Sequence, residues 1–271
     1  MTDYIAPGVM TDPGEYTGLL DGLPGDAAGV ARVVQGLMIH EFLPDHYGVT
    51  LTDEQKQTVH LRKVSDIIGA VLAIDDRPLG EARPPEKRLA TNCRGYTVLA
   101  ETLLRHAGVP ARARCGFGAY FGETKVDHWV VEFHDGERWR MLDAQIDDVL
   151  RASIGIGFDT TDVTRDQFVI AGDAWQRCRA GKDDPKDYGL PGAGAGYWWI
   201  AGNMLRDAAA LNDVEALPWD CWDPMPGPEQ DPDWDFFEGL AKRTVADERD
   251  PAVRVPAEVF NAVKQQVEPF K

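Results

Sequence analysis

The stretch TNCRGYTVLAETLLRHAG, residues 91–108, constrains the fold more than any other part of the chain. Asn92 is a favoured N-cap residue, and Gly108 followed by Pro110 ends a helix in the usual order. The spacing therefore predicts an amphipathic helix from about Cys93 to Ala107, with a cysteine in its first turn. The apolar residues that recur on one helical face are Tyr96, Leu99, Ala100, Leu103, Leu104 and Ala107.

A cysteine at the start of a helix has a chemical consequence. The first N–H groups of a helix have no intrahelical partner, and the positive end of the helix dipole favours an anion. Cys93 is therefore expected to form a thiolate more readily than a free thiol does. The alternative is a small buried apolar side chain without a chemical role, which is common for free cysteines. The stretch by itself leaves both interpretations open.

Asp135-Gly136 lies between two strand-like segments and predicts a two-residue hairpin turn. In that register His134 pairs with Glu137, and His128 lies directly opposite Asp143, close enough for the carboxylate to hold the imidazole. A thiol nucleophile needs such a base and such an orienting acid; an ordinary cross-strand polar pair is the alternative. Three segments have the pattern of strands: ARARCGFGAYF (111–121), VDHWVVEF (126–133) and RWRMLDAQ (138–145).

At these residues the sequence resembles the transglutaminase-like superfamily. The motifs are NCRGYTVLAETLLRHAGVPARAR, DHWVVEF and ERWRMLDAQ, within about residues 90–146. The family has a cysteine that opens a helix, an Ala-Gly-Ile/Val-Pro-Ala-Arg turn, a histidine before an aromatic residue, and an aspartate after a Trp strand. The resemblance implies a papain-like α+β fold, in which the nucleophile helix packs on an antiparallel sheet. It implies the roles of nucleophile, base and orienting acid for Cys93, His128 and Asp143.

The sequence departs from the family pattern at two places. Thr91 stands where a glycine commonly precedes the cysteine pair, and His128-Trp129 shortens the usual His-Ala-Trp. Neither change removes a candidate catalytic group, but both bear on the shape of the substrate site.

Further helices are predicted on both sides of this core. Thr52–Gln55 has the form of a capping box. The GAGAG sequence at 192–196 has neither a predicted strand before it nor the Lys-Ser/Thr of a phosphate-binding loop, so we interpret it as a turn. Helical spacing of apolar residues predicts one helix capped by Asp26 and others over about 64–72, 162–179 and 197–212.

These patterns predict how the chain is organised. Residues 1–190 are expected to form the catalytic domain with a helical lead-in, and 191–271 a C-terminal extension packed on the same domain. The extension is rich in tryptophan and aspartate. Its segment 220–238 carries seven carboxylates, four prolines and no Lys or Arg, which predicts loop or extended structure.

Composition excludes several classes of function. The formal net charge of −17 and the lack of a basic patch argue against nucleic-acid binding. No apolar run is long enough to cross a membrane, and the N-terminal residues lack the pattern of a signal peptide, so a cytoplasmic protein is expected. The four cysteines form no C-x-x-C pair. His128 and His134 are about 20 Å apart along a strand, so no metal site or cofactor is predicted.

The predicted reaction is acyl transfer through a thioester on Cys93. Hydrolysis of an amide or peptide bond, in a small molecule or a peptide, is favoured because water is the default acceptor. One alternative is an acyltransferase or transglutaminase that passes the acyl group to an amine; another is a scaffold of the same fold without catalysis. Nothing in the sequence separates water from an amine as acceptor.

Overall fold

The computed structural model describes residues 4–270. The α-helices are α1 (Ala27–Leu37), α2 (Asp53–Lys56), α3 (Val64–Ile74), α4 (Cys93–His106), α5 (Asp148–Ile154), α6 (Ala171–Arg179), α7 (Tyr197–Leu211) and α8 (Trp234–Val245). The strands are β1 (Met38–His40), β2 (Leu89–Thr91), β3 (Ala111–Gly118), β4 (Lys125–His134), β5 (Trp139–Leu142), β6 (Phe168–Ile170), β7 (Tyr188–Leu190), β8 (Gly194–Ala195), β9 (Asp220–Cys221), β10 (Glu258–Asn261) and β11 (Gln266–Pro269).

The chain divides into two compact units. The first contains the residues up to Ala113 and Val130–Val163, and the second contains Arg114–Trp129 and the chain from Thr164 onward. Strands β3 and β4 run through the boundary. In the largest sheet the hydrogen-bonded order is β6-β3-β4-β7-β8, and β5 also pairs with β4. The predicted division near residue 190 remains a prediction.

In the first unit, helix α4 packs on the antiparallel hairpin of β4 and β5. The apolar face predicted for the helix is buried with α1, α3 and the inner side of the hairpin, except Ala107, which follows the last helical residue and is exposed. Leu104 and Leu142 are both completely buried, and each such side chain contributes roughly 1.5–3 kcal/mol to folding. The expected α+β arrangement, with the nucleophile helix on an antiparallel sheet and further helices before and after it, is confirmed.

Local signals for the helix ends in the first unit were accurate. Asp26 caps α1 by accepting a hydrogen bond from the Gly29 amide at 2.9 Å. Thr52 and Gln55 form the predicted capping box, but it opens only the short helix α2. The helix over 64–72 is the separate element α3, which begins at Val64.

The predicted register of the β4–β5 hairpin is wrong by two residues. His134 pairs with Trp139 and not with Glu137. The Asp135 carboxylate accepts hydrogen bonds from the amides of Glu137 and Arg138, both at 2.9 Å, and so stabilises a four-residue loop. An aspartate that binds the backbone two and three residues ahead favours this wider turn over the tight Asp-Gly turn.

The second unit contains helices α6, α7 and α8 packed against one another. Strand β6 pairs antiparallel with β3, and β7 joins β4 in parallel and β8 antiparallel. Helix α7 confirms the prediction over 197–212. The helix predicted over 162–179 is correct only from Ala171, because Phe168–Ile170 is strand β6; a short apolar run does not distinguish a buried strand from a buried helix.

A buried ion pair holds β3 and α7 together in the second unit. Arg114 donates to both carboxylate oxygens of Asp207 at 2.9 Å, and the Cys115 amide donates to the same carboxylate at 2.9 Å. Both charged side chains are fully buried. Among the residues that the structure describes, no helix is both long and apolar enough to cross a membrane.

Candidate active site

Cys93 is the first residue of helix α4, as the sequence predicts. Its side chain is 7% exposed. Asn92 caps the helix by accepting a hydrogen bond from the Gly95 amide at 3.1 Å. The amides of the first helical turn and the positive end of the helix dipole therefore lie beside the thiol, and both favour a thiolate.

Hydrogen bonds on both sides of Cys93 fix its backbone. The Asn92 side-chain amide donates to the Val59 carbonyl oxygen at 3.1 Å. The buried Arg94 guanidinium donates to the Arg62 carbonyl oxygen at 2.5 Å. A nucleophile has to be held accurately for efficient attack, and this anchoring suits a catalytic position.

Gly95 allows the helix to begin tightly against the end of β2. A Cβ atom at this position would lie 2.0 Å from the Thr91 hydroxyl oxygen, which is closer than any side chain tolerates. The absence of a side chain therefore permits the sharp strand-to-helix connection that carries Cys93.

Asp143, the predicted orienting acid, lies directly after β5 and is 1% exposed. Its amide donates to the Thr160 carbonyl oxygen at 2.8 Å, and its carboxylate accepts from the Gln145 amide at 3.0 Å. Burial raises the pKa of Tyr96 well above its usual range; the charges of Tyr47 and Asp147 add to the rise, and that of Asp143 adds least.

His128, the predicted base, is on β4 and 2% exposed. Its imidazole makes edge-on contacts with three aromatic rings, with centroid separations of 4.8 Å to Phe121, 6.1 Å to Tyr120 and 6.2 Å to Phe168. No local sequence pattern identifies these rings as neighbours of His128, because tertiary contacts bring them together. Such an enclosure restricts the imidazole and excludes water from it.

Asp127, directly before His128, has a side-chain partner on helix α7, and successive strand residues point to opposite faces. Its carboxylate accepts a hydrogen bond from the Trp199 indole N–H at 2.6 Å. Burial raises the pKa of this carboxyl, and the nearby charge of Arg206 and the hydrogen bonds from Trp199 and Asn203 offset part of the rise. Trp199, one of the C-terminal tryptophans without a predicted role, thus connects α7 to β4.

The predicted catalytic residues are divided between the two units. Cys93 and Asp143 belong to the first unit, and His128 belongs to the second. The β4–β5 ladder runs from the His134–Trp139 pair to the Val131–Leu142 pair, so its register does not place Asp143 directly opposite His128. The assignment of His128 and Asp143 therefore depends on the sequence motif and not on the register first used to pair them.

The remaining cysteines differ from Cys93 in their surroundings. Cys115 is completely buried in β3, as expected for a packing residue. Burial, with a smaller effect of the Asp183 charge, raises the pKa of the Cys178 thiol to about 12. Cys178 is thus a protonated internal reference for tests of thiol reactivity.

Three comparisons with known proteins gave different results. A search of curated protein sequences found no match. One similar solved structure is titled "Putative Cysteine Protease from Cytophaga hutchinsonii"; it is 15% identical, the alignment covers 63% of this chain and 47% of that one, and the TM-score is 0.38. The chain thus spans about half the length of that structure. The model of the transglutaminase-like superfamily matches residues 52–144, which include Cys93, His128 and Asp143. This segment, about a third of the chain, is similar to the core of that superfamily.

Proposed function

We propose that this protein catalyses acyl transfer through a thioester on Cys93, most readily the hydrolysis of an amide or peptide bond. The family match supports cysteine-dependent chemistry in general. The observation that carries the specific proposal is the position of Cys93 as the first residue of the capped helix α4. Free cysteines that only fill a core do not require the start of a helix, whereas a thiolate gains stability there.

In the proposed reaction, the Cys93 thiolate attacks the carbonyl carbon of the substrate amide. First-turn amides of α4 are the proposed donors to the oxyanion that develops on the carbonyl oxygen. The His128 imidazolium donates its proton to the leaving amine as the carbon–nitrogen bond breaks, which leaves a thioester on Cys93 and a neutral imidazole.

Water completes the proposed cycle. His128 takes a proton from the attacking water, the acyl group leaves as the acid, and the Cys93 thiolate is restored with the imidazolium. Asp143 orients the imidazole and stabilises its charged form in this scheme. Its burial and its fixed carboxylate, which accepts from the Gln145 amide, suit that role.

The rate of alkylation by iodoacetamide between about pH 4 and 10, followed by peptide mass mapping, tests the nucleophile and the base. Native Cys93 should react at a constant rate well below the free-thiol pKa of about 8.5. This plateau should disappear in His128→Ala. His134→Ala, on the same strand, should retain it, and Cys178 should stay unlabelled in every native sample.

Other outcomes would favour the scaffold alternative. Cys93 would then titrate like a free thiol, with no effect of His128→Ala, or would react only after denaturation. If Cys93 stays reactive in His128→Ala, Cys93 remains the candidate nucleophile and His128 is excluded as its base.

Product analysis tests the acyl acceptor. Model amides would be incubated with the protein in the presence and absence of a primary amine, and the products separated by mass. Formation of the free acid at a rate independent of the amine supports hydrolysis. Formation of a new amide in proportion to the amine concentration would instead show transfer to an amine.

A further inference from the structure

Strands β1 and β2 bring a distant segment of the chain beside Cys93. The two strands pair in parallel, with His40 opposite Thr91. The Glu41 amide then donates to the Thr91 carbonyl oxygen at 2.8 Å, which places Glu41 opposite Asn92. Since carboxyl ends of parallel strands meet at one edge, the residues after β1 lie next to the residues that open α4.

Strand spacing gives the scale of this juxtaposition. Neighbouring strands lie about 4.8 Å apart, so the backbone of Glu41 lies beside that of Asn92, the residue directly before Cys93. All of these residues belong to the first unit. Glu41 lies outside residues 52–144, the segment that matches the family model, whereas Cys93 lies within it.

Glu41 is half-buried. Burial raises the pKa of its carboxyl from 4.5 to about 7, and the positive charge of Lys56 offsets part of the rise. A partly desolvated carboxyl near a candidate nucleophile is typical of functional sites, since structural carboxylates are normally solvated or held by stronger partners.

The next residue adds an exposed aromatic ring. Phe42 is 64% exposed, and its ring contacts the buried His40 imidazole at a centroid separation of 5.5 Å. The Phe42 amide also donates to His40 Nδ1 at 3.2 Å, so the ring is fixed at the protein surface. A carboxylate and an aromatic face are the two groups that bind a positively charged nitrogen.

We infer that Glu41, with the Phe42 ring beside it, is a specificity-determining residue that binds a positively charged amino group of the substrate or acyl acceptor next to Cys93. This inference rests on the proposed function for its biological meaning. The net charge of −17 acts in the same direction, because it attracts cations to the surface.

Charged thiol reagents test the inference without a substrate. Native protein would be treated with three methanethiosulfonates that differ in charge: the trimethylammonium-ethyl cation, the sulfonatoethyl anion and the neutral methyl compound. Each transfers its thioalkyl group to the thiolate and releases methanesulfinate. Rates at Cys93 would be measured by peptide mass mapping at about pH 8.5, where Glu41 is largely ionised.

The expected result is a preference for the cation at Cys93. The ratio of cation to anion rates should exceed that of a small free thiol by roughly tenfold, and about 1 M salt should reduce it. Glu41→Gln, which keeps the side-chain shape, should remove most of the preference. Glu137→Gln removes the same charge from the β4–β5 loop and should leave the ratio unchanged.

Two results would overturn the inference: an equal ratio in the parent and in Glu41→Gln, or an equal loss in Glu137→Gln, which would show a general charge effect. The inference would also be wrong if native Cys93 reacted with none of the three reagents, because a substrate-binding edge must be accessible. If Cys93 prefers the cationic reagent but its alkylation does not depend on His128, this inference stands and His128 is excluded as the base.

Discussion

Replacement of Asn92 by alanine tests how the start of helix α4 is held. The Asn92 side chain makes two hydrogen bonds at once: its oxygen accepts from the Gly95 amide, and its amide donates to the Val59 carbonyl oxygen, both at 3.1 Å. Asn92 is buried, so water does not readily replace either partner.

The expected loss of stability follows from these two bonds. Removal of an Asn N-cap costs about 0.5–2 kcal/mol. Loss of the donor to a buried carbonyl oxygen costs about 1–3 kcal/mol. Asn92→Ala should therefore lower the free energy of unfolding by about 2–4 kcal/mol, and the melting temperature by about 4–8 °C in a chain of this size.

Urea unfolding followed by far-UV circular dichroism measures the change, and Asn92→Ser separates its two parts. Serine is also a favoured N-cap, but it has no amide to donate to the Val59 oxygen. Asn92→Ser should therefore be intermediate, more stable than Asn92→Ala by about 1 kcal/mol, the value of the cap. The slope of free energy against urea should be the same in all three proteins, because the surface exposed on unfolding is unchanged.

A loss below about 1 kcal/mol in Asn92→Ala would refute the reasoning, because a buried double hydrogen bond cannot be removed at so small a cost. Equal stability of the serine and alanine variants would show that the cap contributes nothing. The Cys93 position would then have to be held by tertiary contacts alone.

Three further changes have defined outcomes. Asp207→Asn removes one of the two carboxylates paired with the buried Arg114 and leaves Asp247, so it should lower the free energy of unfolding by about 1–3 kcal/mol in urea titrations; an unchanged free energy would contradict the assignment. Gly116→Ala would place a Cβ 2.3 Å from a backbone oxygen of β6 and should destabilise by more than about 2 kcal/mol, whereas Gly157→Ala, with no atom within 4 Å, should be nearly neutral by thermal melting. Burial raises the pKa of Glu41 from 4.5 to about 7, so the folded state keeps a proton that the unfolded chain releases, and stability falls as pH rises through this window. Glu41→Gln should equal the parent near pH 4 and exceed it above pH 7; a constant difference at all pH values would exclude this titration.

Features set by neighbouring residues were predictable from the sequence. Helix α4 was predicted to within one residue because its cap, its apolar period and its terminal glycine are all local signals. Asp26 and the capping box at Thr52 were identified for the same reason. Local signals alone therefore predict that the candidate nucleophile lies in the first turn of a helix.

Pairing across the hairpin was predicted less well. Asp135-Gly136 correctly indicated a turn, but the Asp135 side chain binds the backbone of Glu137 and Arg138 and so lengthens it. Because side chains alternate along a strand, an error of two residues keeps the face but changes the partner. The assignment of His128 as base therefore rests on the family motif and stays a prediction.

The sequence by itself determined where a reactive thiol can be stabilised, since capping and the helix dipole act over one turn. Only the tertiary structure decided what stands beside it. The parallel pairing of β1 with β2 brings Glu41 opposite Asn92. The three aromatic rings around His128 in the second unit are likewise set by tertiary contacts. Such contacts join residues that are distant along the chain, and their energy comes from burial in the folded protein, which no local pattern encodes.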